Sequence, residues 1–355
     1  VIYLVVGARP NFIKISAISR AFNKLGFLDY EIIHTGQHYD YNMNQIFFNE
    51  LDLKDPYRHL GVGSGPHGQQ TGRIMEQFEE ICMKEMPDMV FVVGDVNSTV
   101  AASLVASKLH VLVVHQEAGM RSFDMSMPEE VNRIVTDHVS NILFPIAPID
   151  KRNLFNEGIK KGVYLVGDPM IDNLLYYSKL IEKKCLNDYF LVELHRPSNV
   201  DSYENLSEIF IALNRLSDIT NVIFTIHPRT KKKIDEFNLW KLLTKVNCID
   251  PLGYIDFIKY MKCASCVITD SDGIQQETSI LNVSCLAIRD TSNVEYTIKY
   301  GTTTLSNVSS KEIFNKAMLK FSKSEKNSFP VKLRRLNDGK ASDRMVNIIY
   351  KYLNK

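Results

Sequence analysis

The sequence predicts an α/β protein of two doubly wound domains. Three observations carry this: the length, a repeated alternation of short β-branched runs with amphipathic stretches, and polar residues gathered where those runs end. At 355 residues and 45% hydrophobic, the chain exceeds one ordinary domain and can bury two cores. Strands are expected at 1–6, 30–34, 89–93, 111–115 and 141–145, with helical patterns near 11–25, 39–51, 68–85, 97–108 and 128–139. The pattern breaks at Pro145 and Pro148. A second series predicts strands at 162–166, 189–194, 222–226, 246–249, 265–269 and 284–288, and helices near 203–216, 231–244, 254–262 and 273–281. Domains over 1–167 and 168–339 follow, each a parallel sheet covered on both faces, with a terminal helix within 340–355 expected to return to the first.

Composition narrows the classes of function. A formal net charge of +1 with 23% charged residues gives no broad field for nucleic acid or an anionic membrane surface, so neither is an expected partner. No run approaches the roughly 20 apolar residues of a membrane helix, and no basic leader precedes the opening strand. A cytoplasmic protein is expected. Six scattered cysteines suit a reducing compartment. Cys263 and Cys266 form a lone CxxC without a second pair at zinc-finger spacing, so no metal site is expected.

Chemistry-bearing residues cluster at strand ends. The first strand runs into Gly7-Ala8-Arg9-Pro10-Asn11-Phe12-Ile13-Lys14, where backbone N–H groups and the Arg9 and Lys14 cations suit a phosphate. It is neither GxGxxG nor a P-loop, which argues against dinucleotide binding and a Walker ATPase. Thr35-Gly36-Gln37-His38 closes the second strand, and Gly94-Asp95 closes the strand at 89–93. Asp95 either caps the next helix or faces a ligand. The stretch from Val113 to His138 then supplies His115, Glu117, Arg121, Glu129, Glu130 and Arg133. Ser126 and Glu129 have capping-box spacing with Pro128 in the first turn, and Glu129 and Arg133 stand at i,i+4. Glu129 therefore either serves the helix or joins Asp95 and Glu117 on one rim. Three carboxylates beside Arg9 and Lys14 point to proton transfer on an anionic substrate.

The second series repeats the arrangement with different chemistry. Glu193-Leu194-His195-Arg196 and Ile226-His227-Pro228-Arg229 each put an imidazole and a guanidinium at a strand end. Thr269-Asp270-Ser271-Asp272-Gly273-Ile274-Gln275-Gln276-Glu277 reads as strand, tight turn and helix start, offering N–H groups to a diphosphate and Glu277 to a ribose. Within Pro251 to Phe257, aromatic rings either stack on a base or pack in the core.

In order, GARPNFIK, TGQHYDYNM, GDVNST, HQEAGMRS, MPEEVNR, VGDPMID, LHRPSNVD, HPR, PLGYIDF, TDSDGIQQE and RDT span nearly the whole chain. Together they resemble the non-hydrolysing UDP-N-acetylglucosamine 2-epimerases. The resemblance implies a GT-B fold, two Rossmann-like domains facing an interdomain cleft that holds the nucleotide sugar. It also implies a cytoplasmic homodimer that feeds N-acetylmannosamine-type sugars into surface polysaccharide synthesis. The implied reaction is reversible C2 epimerisation by elimination and re-addition of UDP through 2-acetamidoglucal, with no cofactor and no metal. By the same resemblance Asp95, Glu117 and Glu129 match the catalytic carboxylates, and Arg133 and His195 the supporting cationic and imidazole positions. Arg9 and Lys14 would lie near the phosphates and sugar, Ser271 and Gly273 on the diphosphate, and Glu277 on the ribose. His227 and Phe257 would flank the nucleotide, and Gln37 and His38 join the substrate-binding set.

Three departures bear on substrate and regulation. The family's Ser-Gly-Gly turn reads Ser271-Asp272-Gly273, and its Thr-Glu-Arg-Pro-Glu reads Ser292-Asn293-Val294-Glu295-Tyr296, without the arginine. Gln69-Gln70 replaces the Arg-Gln pair of members activated by a second UDP-N-acetylglucosamine. Epimerases of UDP-2,3-diacetamido uronates or 6-deoxy N-acetyl sugars are therefore alternatives. So are a glycosyltransferase of the same architecture, a silent UDP-sugar binder and a hydrolysing epimerase.

Overall fold

A computed structural model of the chain describes residues 1–26, 28–36, 48, 50–181, 188–292, 294–321 and 326–354. The helix expected over 39–51 falls largely outside the described residues. The chain divides into two compact units, Val1–Asn173 with Arg335–Lys355, and Leu174–Arg334.

In the first unit the described elements are β1 (Ile2–Val6), α1 (Arg9–Leu25), β2 (Tyr30–His34), β3 (Arg58–His59), α2 (His67–Lys84), β4 (Met89–Val93), α3 (Asn97–Lys108), β5 (Leu112–Gln116), α4 (Pro128–Val139), β6 (Ile142–Phe144) and α5 (Pro148–Asn156), and the next helix, α6 (Pro169–Leu180), begins in it and ends in the second. The strands form one sheet in the order β3-β2-β1-β4-β5-β6, every pair parallel. All five residues of β1 and of β4 are buried, which is why these strands read as unbroken apolar runs rather than alternating ones. The order reverses between β1 and β4. At such a switch point the loops leaving the two strands diverge and open a crevice at their C-terminal ends.

The second unit holds β7 (Tyr189–Leu194), α7 (Pro197–Val200), α8 (Tyr203–Leu216), β8 (Asn221–Ile226), α9 (Pro228–Glu236), β9 (Asn247–Ile249), α10 (Tyr254–Cys263), β10 (Cys266–Thr269), α11 (Asp272–Leu281), β11 (Ser284–Ile288), α12 (Glu295–Lys299), β12 (Thr303–Ser306) and α13 (Ser310–Phe321). Its parallel sheet runs β12-β11-β10-β7-β8-β9, the same permutation as the first when counted from β7. Its switch point lies between β7 and β10. On one face of the sheet Phe190 and Phe224 share a core cluster with Phe210 and Leu213 of α8, all fully buried. A short helix α14 (Val331–Leu336) follows, and the last helix, α15 (Ala341–Leu353), belongs to the first unit, where Asp343 pairs with Lys24 of α1 at 2.7 Å. Asp172 fixes its start, accepting from the N–H groups of Ala341 (3.1 Å) and Ser342 (2.6 Å).

The doubly wound class is as the alternation predicts, with local corrections. No strand forms over 162–166: Val163 makes a single bridge to Leu143 and the chain then runs irregularly. Pro148, read as part of a break, opens α5, because proline lacks the N–H that a first turn leaves unbonded anyway. The helix expected over 231–244 stops at Glu236, and a 3-10 turn at Trp240–Leu242 follows. Among the described residues, no helix is long and apolar enough to cross a membrane.

Candidate active site

Both switch points carry the polar residues that the sequence placed at strand ends. In the first unit the turn after β1 is tied by Asn11, whose Oδ1 accepts from the N–H groups of Gly7 (3.1 Å) and Ala8 (3.0 Å). Pro10 stands in the first turn of α1, and one turn on comes Lys14. Its Nζ lies 2.7 Å from Glu117 Oε2, which leaves the end of β5. Burial opposes the Lys14 charge, but Glu117, with Asp95 and Asp168 nearby, outweighs burial and holds its pKa above the ordinary lysine value.

Gly94 separates this pair from the next. Its φ is +68°, and a side chain there would begin 3.4 Å from both Glu117 Oε2 and Lys14 Nζ, so glycine keeps the space beside the pair open. Asp95 follows. Arg133 of α4 reaches it with Nε (3.0 Å) and Nη2 (2.6 Å), while Nη1 donates to Glu130 Oε2 at 2.9 Å. Val96, not Asp95, is the residue preceding α3, so the Asp95 carboxylate serves Arg133 rather than a helix cap.

The α4 start differs from its sequence reading. Met127 precedes the helix without a side-chain cap, and the Ser126 hydroxyl donates instead to Asp124 Oδ1 at 2.6 Å, so the Ser126–Glu129 capping box does not form. Arg133 chooses Asp95 and Glu130, and Glu129 has no ion pair among the described residues. Glu130 is the carboxylate with the structural task. It accepts from Ser122 N–H (2.9 Å), Ser122 Oγ (3.0 Å) and Phe123 N–H (3.0 Å), folding the loop before α4. Burial raises its pKa, yet those N–H groups and Arg133 together hold it below the usual range.

Beneath the site lies a buried charge network. His115 donates from Nε2 to the Gly94 carbonyl (2.8 Å), and its Nδ1 faces Asp137 Oδ1 (2.6 Å). Asp137 Oδ2 pairs with Arg121 (2.7 Å) and accepts from Gly119 N–H (2.9 Å). Gly119 has φ +80°, and a Cβ there would fall 2.2 Å from the Asp150 carbonyl, so only glycine lets the loop close on α5. Glu117, two residues earlier, has φ +73° without being glycine.

Asp168 is a group that sequence reasoning passed over. Burial first, then the Glu117 charge, pushes its pKa up to about 7 from an ordinary 3.8. A carboxyl that stays protonated longer when folded contributes stability below the unfolded pKa and loses it as pH rises through the folded one. Asp168→Asn should therefore match wild type near pH 4 and gain on it by about 1.4 kcal/mol per pH unit at most up to pH 7, then hold level. Thermal melts across that range check this, and parallel curves would refute it.

In the second unit, Asp270 fixes the end of β7. Its carboxylate accepts from the N–H groups of His195 (3.1 Å) and Arg196 (3.1 Å) and from Asn199 Nδ2 (3.0 Å). The His195 and His227 rings stand 5.7 Å apart. His227 also caps α9, accepting at Nδ1 from Arg229 N–H at 3.2 Å. Ser271 precedes α11, Gly273 is exposed in its first turn, and Glu277 is buried one turn in. Asp272 does not point away: it pairs with Arg196 at 2.7 Å and with Arg289. Phe257, half-buried, packs against the core cluster that holds Leu191, Ile223 and Met261. Gln37, His38 and the Arg9 side chain fall outside the described residues.

In the first unit two ion-paired carboxylates at a Rossmann-type switch point suit acid–base work, and in the second an imidazole with two guanidiniums suits a phosphorylated ligand. Comparison with known proteins agrees. The family model described as UDP-N-acetylglucosamine 2-epimerase matches residues 20–350. The chain belongs to the UDP-N-acetylglucosamine 2-epimerase family. It is 41% identical to the UDP-N-acetylglucosamine 2-epimerase of Methanocaldococcus jannaschii over 98% of both chains. It is 42% identical to the UDP-2,3-diacetamido-2,3-dideoxy-D-glucuronate 2-epimerase of Pseudomonas aeruginosa, over 81% of this chain and 83% of that one. A solved structure of the M. jannaschii enzyme in complex with UDP-GlcNAc and UDP superposes with a TM-score of 0.82 at 40% identity, covering 99% of each chain. This epimerase is an isomerase of GT-B type, built from two Rossmann-like units.

Proposed function

We propose that the chain interconverts UDP-N-acetylglucosamine and UDP-N-acetylmannosamine without hydrolysis. The C2 hydrogen of the sugar is barely acidic, so its removal is coupled to departure of UDP. A carboxylate takes the C2 proton as the C1–O bond breaks, its electron pair leaving on the β-phosphate, and 2-acetamidoglucal remains. Return of UDP with a proton delivered to the opposite face of C2 gives the epimer. The observation that carries this reading is the pairing of Glu117 with Lys14 and of Asp95 with Arg133 around Gly94. Each carboxylate has a cation in direct contact with it, so a proton-accepting group and a positive charge stand side by side, as acid–base work on an anionic ligand needs. In the second unit His195, Arg196 and Arg289 supply charge for the diphosphate, and the first turn of α11 supplies backbone N–H groups.

NMR of UDP-N-acetylglucosamine turned over in deuterated water tests the reading. Deuterium at C2 of both epimers, with no free sugar accumulating, is expected; retention of the C2 proton through turnover would exclude it. A second substrate is favoured by the P. aeruginosa relative, so UDP-2,3-diacetamido-2,3-dideoxy-glucuronate belongs in the same assay.

Asp272 tunes the phosphate side. It already neutralises Arg196 and Arg289, so a diphosphate has to displace a carboxylate to reach them. Asp272→Asn should strengthen UDP binding by about fivefold, the worth of roughly one competing, partly exposed ion pair. Calorimetry at low and high salt measures it; weaker binding would mean that Asp272 aims the arginines instead.

A further inference from the structure

Glu193 has no part in the reaction as described, yet it is the one charged residue of β7 and it touches His195. Residues two apart in a strand share a face, so Glu193 and His195 stand side by side while Leu194 between them enters the core. Glu193 Oε1 lies 2.8 Å from His195 Nδ1, and Thr269, its register partner on β10, donates to Oε2 at 3.4 Å. Asp270 holds the His195 backbone N–H at 3.1 Å and brings its Oδ1 within 3.7 Å of Nδ1. Ligand-type atoms of Glu193, His195 and Asp270 all fall within 4.8 Å of one another. The ring is thus held on its Nδ1 edge and at its backbone, with the side chain 39% exposed.

We propose that Glu193 is a positioning residue that accepts a hydrogen bond from His195 Nδ1–H and so leaves Nε2 as the edge that donates, in the protonated ring, to the diphosphate of the UDP-sugar. The role toward the diphosphate rests on the function proposed above. A carboxylate accepts only, so Nδ1 must carry a proton in either ring state. The neutral ring then exposes a bare Nε2, which repels phosphate oxygen, whereas the imidazolium donates from it. The second proton therefore decides whether the ring helps UDP leave. Three charged groups bear on it, Glu193 on β7, Asp270 at the end of β10 and Arg196 next along the chain, and the His227 ring at the end of β8 faces it at 5.7 Å. The Glu193 contact is the largest influence; with Asp270 it outweighs burial and the Arg196 charge, and the His195 pKa rises above its ordinary value. A raised pKa keeps the donor form to higher pH.

Glu193→Gln isolates the charge, since the amide oxygen still accepts from Nδ1. The pH dependence of UDP affinity, by calorimetry, and the ring nitrogens of His195, by 15N NMR of histidine-labelled protein without UDP, read the effect. The His195 titration should fall by about one unit in Glu193→Gln, and the alkaline loss of UDP affinity should move to lower pH by the same amount. The β-phosphate's own titration is common to both proteins and cancels. Glu193→Asp should lie between. Wild type also gives an answer without any variant: its neutral His195 should carry the proton on Nδ1. The Nε2–H tautomer, an unshifted titration, or a shifted titration with an unmoved affinity profile would each overturn the proposal. Failure of UDP to bind either protein would strike the UDP-sugar reading itself, while UDP binding with identical pH profiles strikes this proposal alone.

Discussion

Glu117→Gln is expected to lower turnover by about a thousandfold while changing UDP affinity by less than about threefold. Glutamine has the same shape and can still accept a hydrogen bond from Lys14, so the turn after β5 keeps its geometry. What disappears is the ability to take a proton. Asp95 and Asp168 remain near Lys14, and the side chains proposed for the diphosphate, in the second unit, are untouched. Deuterium incorporation at C2 gives the rate, and UDP titration gives the affinity. Turnover at the wild-type rate would remove Glu117 from the acid–base set and leave Asp95 and Glu129 as candidates.

Asp137→Ala is expected to cost about 3–5 kcal/mol of folding stability, because it strands two donors in a dry interior. The Asp137 side chain is fully buried and that of Arg121 is 1% exposed, so water cannot replace the lost carboxylate. Gly119 N–H and His115 Nδ1 lose their acceptor in the same step. Arg121 keeps Glu157, which limits the loss to one side of the network. Urea denaturation measures it; a loss below about 1 kcal/mol would mean that the network is solvated or rearranges at little cost.

What the sequence disclosed follows from which forces are local. Central strands such as Met89–Val93 and Cys266–Thr269 were legible because burial on both faces demands an apolar run. Arg58–His59 and Thr303–Ser306 were not, since an exposed two-residue edge strand and a threonine-rich one have no such signature. The expected strand at 162–166 has the right residues but nothing to pair with beyond Leu143. Within the site, glycines and polar residues at strand ends gave the rim, because the doubly wound topology sends all those ends one way. Partners across the sheet were invisible: Arg133 takes Glu130 at i,i+3 rather than Glu129 at i,i+4, and its bond to Asp95 depends on α4 lying beside the β4 turn, which spacing along α4 does not show. Asp168 was equally hidden, since its carboxyl is made unusual by burial and a neighbour 51 residues away along the chain, which composition cannot register.

The backbone of Glu117 has a consequence for how the enzyme meets its ligand. An L-residue held at φ +73° gives up about 1 kcal/mol against an extended one, and the packing around it carries that cost. The carboxylate proposed above for acid–base work is thus wound by the fold itself, so that winding need not draw on the ligand's binding energy. Turns 116–119 of the empty and the loaded enzyme should superpose.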